Sequence, residues 1–119
     1  MPSHFTKLLH SLLSEHRAYQ LCPWQPLADV YRGSNEWLIK FDLAGVRIED
    51  VELRVNGRRL IIQGLRRDRS ILEGHQAYSM EIAYNRFQRV VELPCDIEQA
   101  DIVTEYDNGM LLVRLALGS

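Results

Sequence analysis

An Asn-Gly pair at residues 108–109 sits between two alternating runs, Ile102 to Tyr106 and Met110 to Leu115. A type I′ turn needs positive φ at both central positions, which asparagine and glycine tolerate best. The pair is therefore the strongest short-range hairpin signal a chain can carry. Upstream, Arg86 to Leu93 also alternates, with Phe87, Val91 and Leu93 on one face and Arg86, Gln88 and Glu92 toward the other. Leu93-Pro94 stops this run, and an acidic connector leads into the hairpin.

Period-two patterning extends back through most of the chain. It predicts strands at Ala28 to Arg32, Glu36 to Leu43, Val51 to Asn56, Arg59 to Leu65 and Gln76 to Ala83. Gly33-Ser34-Asn35 and Asn56-Gly57-Arg58 read as hairpin turns between them. Many short strands without intervening helical patterns imply an all-β, immunoglobulin-like antiparallel β-sandwich. The polar stretch Arg66 to His75 is long for a connection in a compact domain, and it carries an apolar pair, Ile71-Leu72. Such a loop carries function or reaches another molecule.

The one helical pattern lies at the N-terminus, over Ser3 to Tyr19. Phe5, Leu8, Leu9, Leu12 and Leu13 form a single amphipathic stripe, and Ser3 is a suitable N-cap. Pro23 and Pro26 end it. The expected organisation is a helical segment and linker at 1–22, the sandwich at 23–117 and a short tail at 118–119. A helix of this length is marginal alone in water. It must pack on its own domain, on another subunit or on a partially unfolded protein, and burial of each large apolar side chain contributes about 1.5–3 kcal/mol.

The chain has 119 residues, 46% hydrophobic and 25% charged, with a net charge of −2. This balance argues against disorder and against nucleic acid as the main partner. Twelve of the fourteen basic residues are arginine, a composition suited to multi-donor contacts with carboxylates and backbone. Cys22 and Cys95 make neither a disulfide scaffold nor a zinc site and are expected as reduced thiols. His4, His10, His16 and His75 show no metal-ligand spacing. No phosphate loop, nucleophile elbow or HExxH motif is present, so neither catalysis nor a cofactor is expected. With no secretory signal and no membrane-length apolar run, the expected location is the cytoplasm.

Several segments, in order and at consistent intervals, resemble the α-crystallin domain of small heat-shock proteins. Pro26-Leu27-Ala28-Asp29-Val30-Tyr31 is similar to that family's P-x-x-D-V-Y. Leu43-Ala44-Gly45-Val46 with Glu49-Asp50-Val51 resembles L-P-G-V-x-x-E-D-I, and Leu60-Ile61-Ile62-Gln63-Gly64 resembles L-x-I-x-G-E. Glu81, Tyr84, Phe87, Arg89, Leu93 and Pro94 follow, then Asn108, Gly109, Leu111, Val113 and Leu115. Departures include Ala44 for proline, Ile82 for arginine, Asn85 for glycine, Thr104 for alanine and Ala116 for proline. The family's Ile-x-Ile tail motif has no counterpart before Ser119, since Leu115-Ala116-Leu117 aligns with the last strand.

The resemblance implies an ATP-independent holdase that binds partially unfolded proteins. It also implies a homodimer, and larger oligomers in some members, in which the long loop crosses to a second subunit. There a strand at about Gln76 to Ile82 would pair with the partner's Ala28 to Arg32, with Asp29, Tyr31, Leu72, Tyr78, Met80 and Arg89 at the dimer interface. Arg89 aligns with the family's strand arginine and is expected to be partly buried and held by carboxylate or carbonyl acceptors. An edge groove between Val51 to Val55 and Ile102 to Tyr106 would be lined by Leu53, Val55 and Ile102. It is open to the N-terminal segment, to clients or to nothing. The N-terminal stripe is the expected client or assembly contact. The alternative from the same sandwich type is a monomeric adaptor like the CS-domain co-chaperones, which recognise a folded partner.

Overall fold

In the computed structural model, residues 23–67 and 74–118 are described. The expected helix over Ser3 to Tyr19, its stripe Phe5, Leu8, Leu9, Leu12 and Leu13, and the Ile71-Leu72 pair lie outside the described residues.

Alternation in the sequence becomes strand in the structure. The strands are β1 (Ala28–Gly33), β2 (Glu36–Asp42), β3 (Val51–Asn56), β4 (Arg59–Arg66), β5 (Asn85–Glu92), β6 (Asp101–Asp107) and β7 (Met110–Ala116). They form a four-stranded sheet in the order β1-β2-β7-β6 and a three-stranded sheet in the order β3-β4-β5. All strand pairs are antiparallel. A one-residue slip would turn every apolar side chain outward, so the burial pattern fixes the register. Ile39 faces Val113 and Phe41 faces Leu111 in one sheet, while Leu60 faces Val91 and Gly64 faces Phe87 in the other. Ile39, Phe41, Leu60, Ile62, Phe87, Val113 and Leu115 are the fully enclosed centre of the core between the sheets.

The 108–109 hairpin takes the expected form, with φ of 51° at Asn108 and 83° at Gly109. Gly109 also accepts a 2.7 Å hydrogen bond from the Leu43 amide, which ties the turn to the end of β2. Asn85 adopts φ of 71°, the left-handed conformation that asparagine tolerates in place of glycine. Leu115 and Ala116 belong to β7, and Leu117 is clasped by Asn35 through two hydrogen bonds of 3.0 and 2.7 Å. The Leu-Ala-Leu sequence is thus strand and strand end.

Two expectations change. Gln76 to Ala83 is not a strand in the single chain: residues 74–82 are all exposed and carry no sheet pairing. A strand exists only where a neighbouring backbone supplies hydrogen-bond partners, and among the described residues no strand pairs with this segment. Between β2 and β3 the chain makes a short 3-10 turn, Ile48–Asp50, that the alternation did not reveal.

Gly64 is fixed by close approach. A Cβ there would overlap the Asp50 carbonyl oxygen and stand 2.6 Å from Phe87 Cζ. Neither neighbour is the free end of a flexible chain. Gly64→Ala is expected to lower the unfolding free energy by about 1–3 kcal/mol. Urea denaturation measures this against Gly118→Ala, which enters open space and should change stability by less than about 0.5 kcal/mol.

Candidate functional site

The first strand is one of the open edges. β1 has a single strand neighbour, β2, and five of its six residues are exposed. Asp29 and Tyr31 share its outward face: Asp29 makes a 3.9 Å ion pair with Lys40, whose ammonium lies 5.6 Å from the Tyr31 ring. Val30, on the opposite face, is 43% exposed. An edge of this kind presents unpaired amides and carbonyls to any extended chain.

The segment before β5 is the natural complement. Tyr78 is fully exposed, and Met80 and Ile82 are 48% and 61% exposed. Their spacing puts all three on one face of an extended chain, with Ser79 and Glu81 on the other. Leu72 lies outside the described residues. In one chain the structure does not bring Tyr78 and Met80 to Asp29 and Tyr31.

Both ends of this excursion are anchored. At its start, Arg67 forks onto Asp50 with bonds of 3.1 and 3.2 Å. The hydrogen bond from Arg67 holds the Asp50 carboxyl below its usual range. At its end, Arg66 Nη1 donates to the Ala83 carbonyl at 2.8 Å. The Arg66 guanidinium stacks 4.1 Å from the centroid of Trp24, and burial lowers its pKa. Its Nε is buried without a protein partner.

Trp24 belongs to the stretch that reads as linker in the sequence, yet it is a structural strap. Its amide donates to Arg86 and its carbonyl accepts from Gln88, at 3.2 and 2.9 Å, so one residue adds a parallel bridge to β5. The indole packs on Phe87 with ring centroids 5.2 Å apart and donates to the Asn85 carbonyl. Two residues on, Pro26 is buried and its carbonyl accepts a 3.1 Å bond from Arg89 Nη1. Arg89 is half-buried, and this bond to the Pro26 carbonyl places the start of β1. A large aromatic between two prolines was the available signal for the strap.

The groove expected at Leu53, Val55 and Ile102 would lie between the opposite edges. β3 and β6 are the outer strands of their sheets. Leu53 and Val55 are half-buried against the core, whereas Ile102 is 43% exposed. Tyr106 on β6 sends its hydroxyl to the Leu43 and Val46 carbonyls, locking the turn after β2, and burial raises its pKa. Cys95 is a half-buried free thiol, and Cys22 lies outside the described residues. Among the described residues no group of three or more potential ligands could hold a metal ion, and no helix is long and apolar enough to cross a membrane.

Residues 29–117 match the Hsp20/alpha crystallin family. The chain belongs to that family. Heat shock protein 16 of Schizosaccharomyces pombe is 31% identical over 93 residues, covering 76% of this chain and 64% of that protein. Small heat shock protein C4 of Rickettsia felis is 21% identical over 90 residues, covering 76% of this chain and 55% of the relative. The chain therefore spans less than two-thirds of the length of these curated relatives. Among solved structures, heat shock protein 16.0 from Schizosaccharomyces pombe superposes with a TM-score of 0.67 at 30% identity, covering 76% of this chain and 84% of the other. The hspA protein from Xanthomonas axonopodis gives 0.67 at 27% identity, with coverages of 81% and 96%. This Hsp20-family sandwich thus carries an exposed edge at β1, an exposed apolar segment at Tyr78, Met80 and Ile82, and a strapped junction at Trp24.

The Arg89 strut can be weighed directly. A buried ion pair that loses one partner costs about 3–5 kcal/mol. Here the residue is half-buried and its acceptor is a neutral carbonyl, so Arg89→Ala is expected to cost about 1.5–3 kcal/mol. Equilibrium unfolding in urea reads the difference, and an unchanged midpoint would show that the strut contributes nothing.

Proposed function

We propose that this chain is an ATP-independent molecular chaperone, a cytoplasmic holdase that captures partially unfolded proteins and keeps them from aggregating. Membership of the Hsp20/alpha crystallin family carries this reading. The exposed surfaces support it, because capture without nucleotide needs apolar contacts that are formed and released by competition alone. In this reading the sandwich at 23–117 is the dimerising body, and residues 1–22 are the arm that meets clients through Phe5, Leu8, Leu9, Leu12 and Leu13.

The dimer follows from edge chemistry. The segment bearing Tyr78, Met80 and Ile82 crosses to a second copy and pairs with its β1, beside Asp29 and Tyr31. Arg89 holds the receiving strand in place from within each chain. Reciprocal exchange satisfies two sheet edges and covers two apolar segments in one isologous contact. It also accounts for a strand that the sequence pattern predicts and the single chain lacks. Larger assemblies would build on that dimer, with the groove at Leu53, Val55 and Ile102 as a site for extended peptide.

Size-exclusion chromatography with light scattering should return a dimer or a multiple of it, where the adaptor alternative requires a monomer. Tyr78→Asp combined with Met80→Asp should shift the population to monomer while leaving a cooperative unfolding transition. For activity, a reduced or heat-denatured model substrate is followed by light scattering without nucleotide. The full chain should suppress scattering at equimolar ratio or below, and a chain lacking residues 1–20 should lose most of that effect with its sandwich intact. No suppression by the full chain would remove the holdase reading.

A further inference from the structure

The segment bearing Tyr78, Met80 and Ile82 returns to the sandwich at a sharply defined point. Residues 74–82 are exposed, whereas Ala83, Tyr84 and Asn85 are half-buried. Three contacts meet there. Arg66 Nη1 donates to the Ala83 carbonyl at 2.8 Å, the Arg66 guanidinium carbon lies 4.1 Å from the Trp24 ring centroid, and Trp24 Nε1 donates to the Asn85 carbonyl at 3.3 Å. Arg66 is also the register partner of Asn85, so the base of the excursion is one rung of the β4–β5 ladder. Asn85, at φ of 71°, turns the chain as it enters that rung. The rungs from Arg59 opposite Glu92 to Leu65 opposite Arg86 already hold β4 to β5, so these contacts are not needed to form the sheet.

The side chain at position 66 has two tasks at once. A planar guanidinium can lie against an indole while its N–H groups reach a carbonyl, whereas a lysine ammonium has a single centre and cannot keep both contacts. Among the described residues no carboxylate forms an ion pair with Arg66, so direction rather than charge holds it. Trp24 is in turn fixed to β5 through its amide and carbonyl. The exposed segment therefore hangs from a ring that is itself tied to the sheet. Its direction matters because it is long. Tyr78 lies five residues before Ala83, about 17 Å away when extended. A swing of about 20° at Ala83 carries Tyr78 about 6 Å, more than the roughly 4.8 Å between paired strands. A loose segment also loses more conformational entropy when a partner orders it.

We propose that Arg66 is a positioning residue: with Trp24 and the Ala83 carbonyl it clamps the root of residues 74–82 and sets the direction in which they leave the sandwich. The inference rests on the proposed dimer for what the segment meets, and on the single chain for the clamp itself. Trp24 also lies in the strap that leads into β1, so one ring braces both the strand that receives a partner and the segment that is offered to one.

The test has two arms. In the full chain with Cys22 and Cys95 changed to alanine, Tyr78→Asp and Met80→Asp give a single-chain background, and spin labels at Ser79→Cys and Asn56→Cys report the segment's direction by dipolar spectroscopy. Excess unlabelled chain keeps the measured distance within one molecule. The distribution should be narrow, and Arg66→Lys should broaden it about twofold. An unchanged width overturns the clamp. In the otherwise native chain, sedimentation gives the dimer Kd, which Arg66→Lys should raise by at least about tenfold. Trp24→Phe, which keeps a ring on Phe87 but loses the indole N–H, should raise it less. The two together should raise it by less than the product of the single factors, because both act on one clamp. Factors that multiply, or a native Kd in Arg66→Lys, overturn the proposal. The urea midpoint of the single-chain background should move little in Arg66→Lys, and a loss of fold stability as large as the loss of affinity overturns the positioning role. A chain that stays monomeric while Arg66→Lys still broadens the distances sinks the dimer reading alone. A firm dimer with unchanged distances sinks the clamp alone.

Discussion

A sandwich of two open sheets has four edge strands, and every amide along them needs an acceptor. How this chain meets that demand organises the molecule. The β5 edge takes one parallel bridge from Trp24, after which Pro26 presents no N–H and its carbonyl turns to Arg89. β3 and β6 are the outer strands of their sheets, and Tyr106 secures the turn after β2. β1 and β6, the outer strands of the four-stranded sheet, both offer long exposed runs, and Tyr78, Met80 and Ile82 have the spacing of a strand that would complete such an edge. The shape of the sandwich follows from which edges are closed internally.

Much of this was legible in the residues themselves. Alternation located the strands, and Asn108-Gly109 fixed the last hairpin, because both signals are local and steric. Asn85 in a position that suits glycine was legible for the same reason. The strand expected at Gln76 to Ala83 is a different case. Its pattern is that of a strand, but strand formation is a property of two backbones, and a single chain supplies one.

Other features were hidden because they join residues distant in sequence. Nothing near Trp24 announces that it will bridge Phe87 and carry the Arg66 guanidinium, a contact that in turn reaches Ala83. Leu60, Ile61 and Ile62 are consecutive apolar residues, and only the register shows that Ile61 faces away from the inter-sheet core. Arg89 was anticipated through its place in the family pattern. Among the described residues its acceptor is the Pro26 carbonyl, which braces the entry to β1.

The two tryptophans stand at separate boundaries of the domain. Trp24 lies in the strap where the N-terminal arm begins, and Trp37 lies on β2 with Arg32 of the open edge strand 5.5 Å from its ring. Indole emission is sensitive to a stacked cation and to water, so the unlabelled protein carries two optical probes. One reports on the arm and the other on whatever joins the sheet margin. Removing either ring in turn would separate those signals, so arm release and subunit exchange could be timed independently in the same solution.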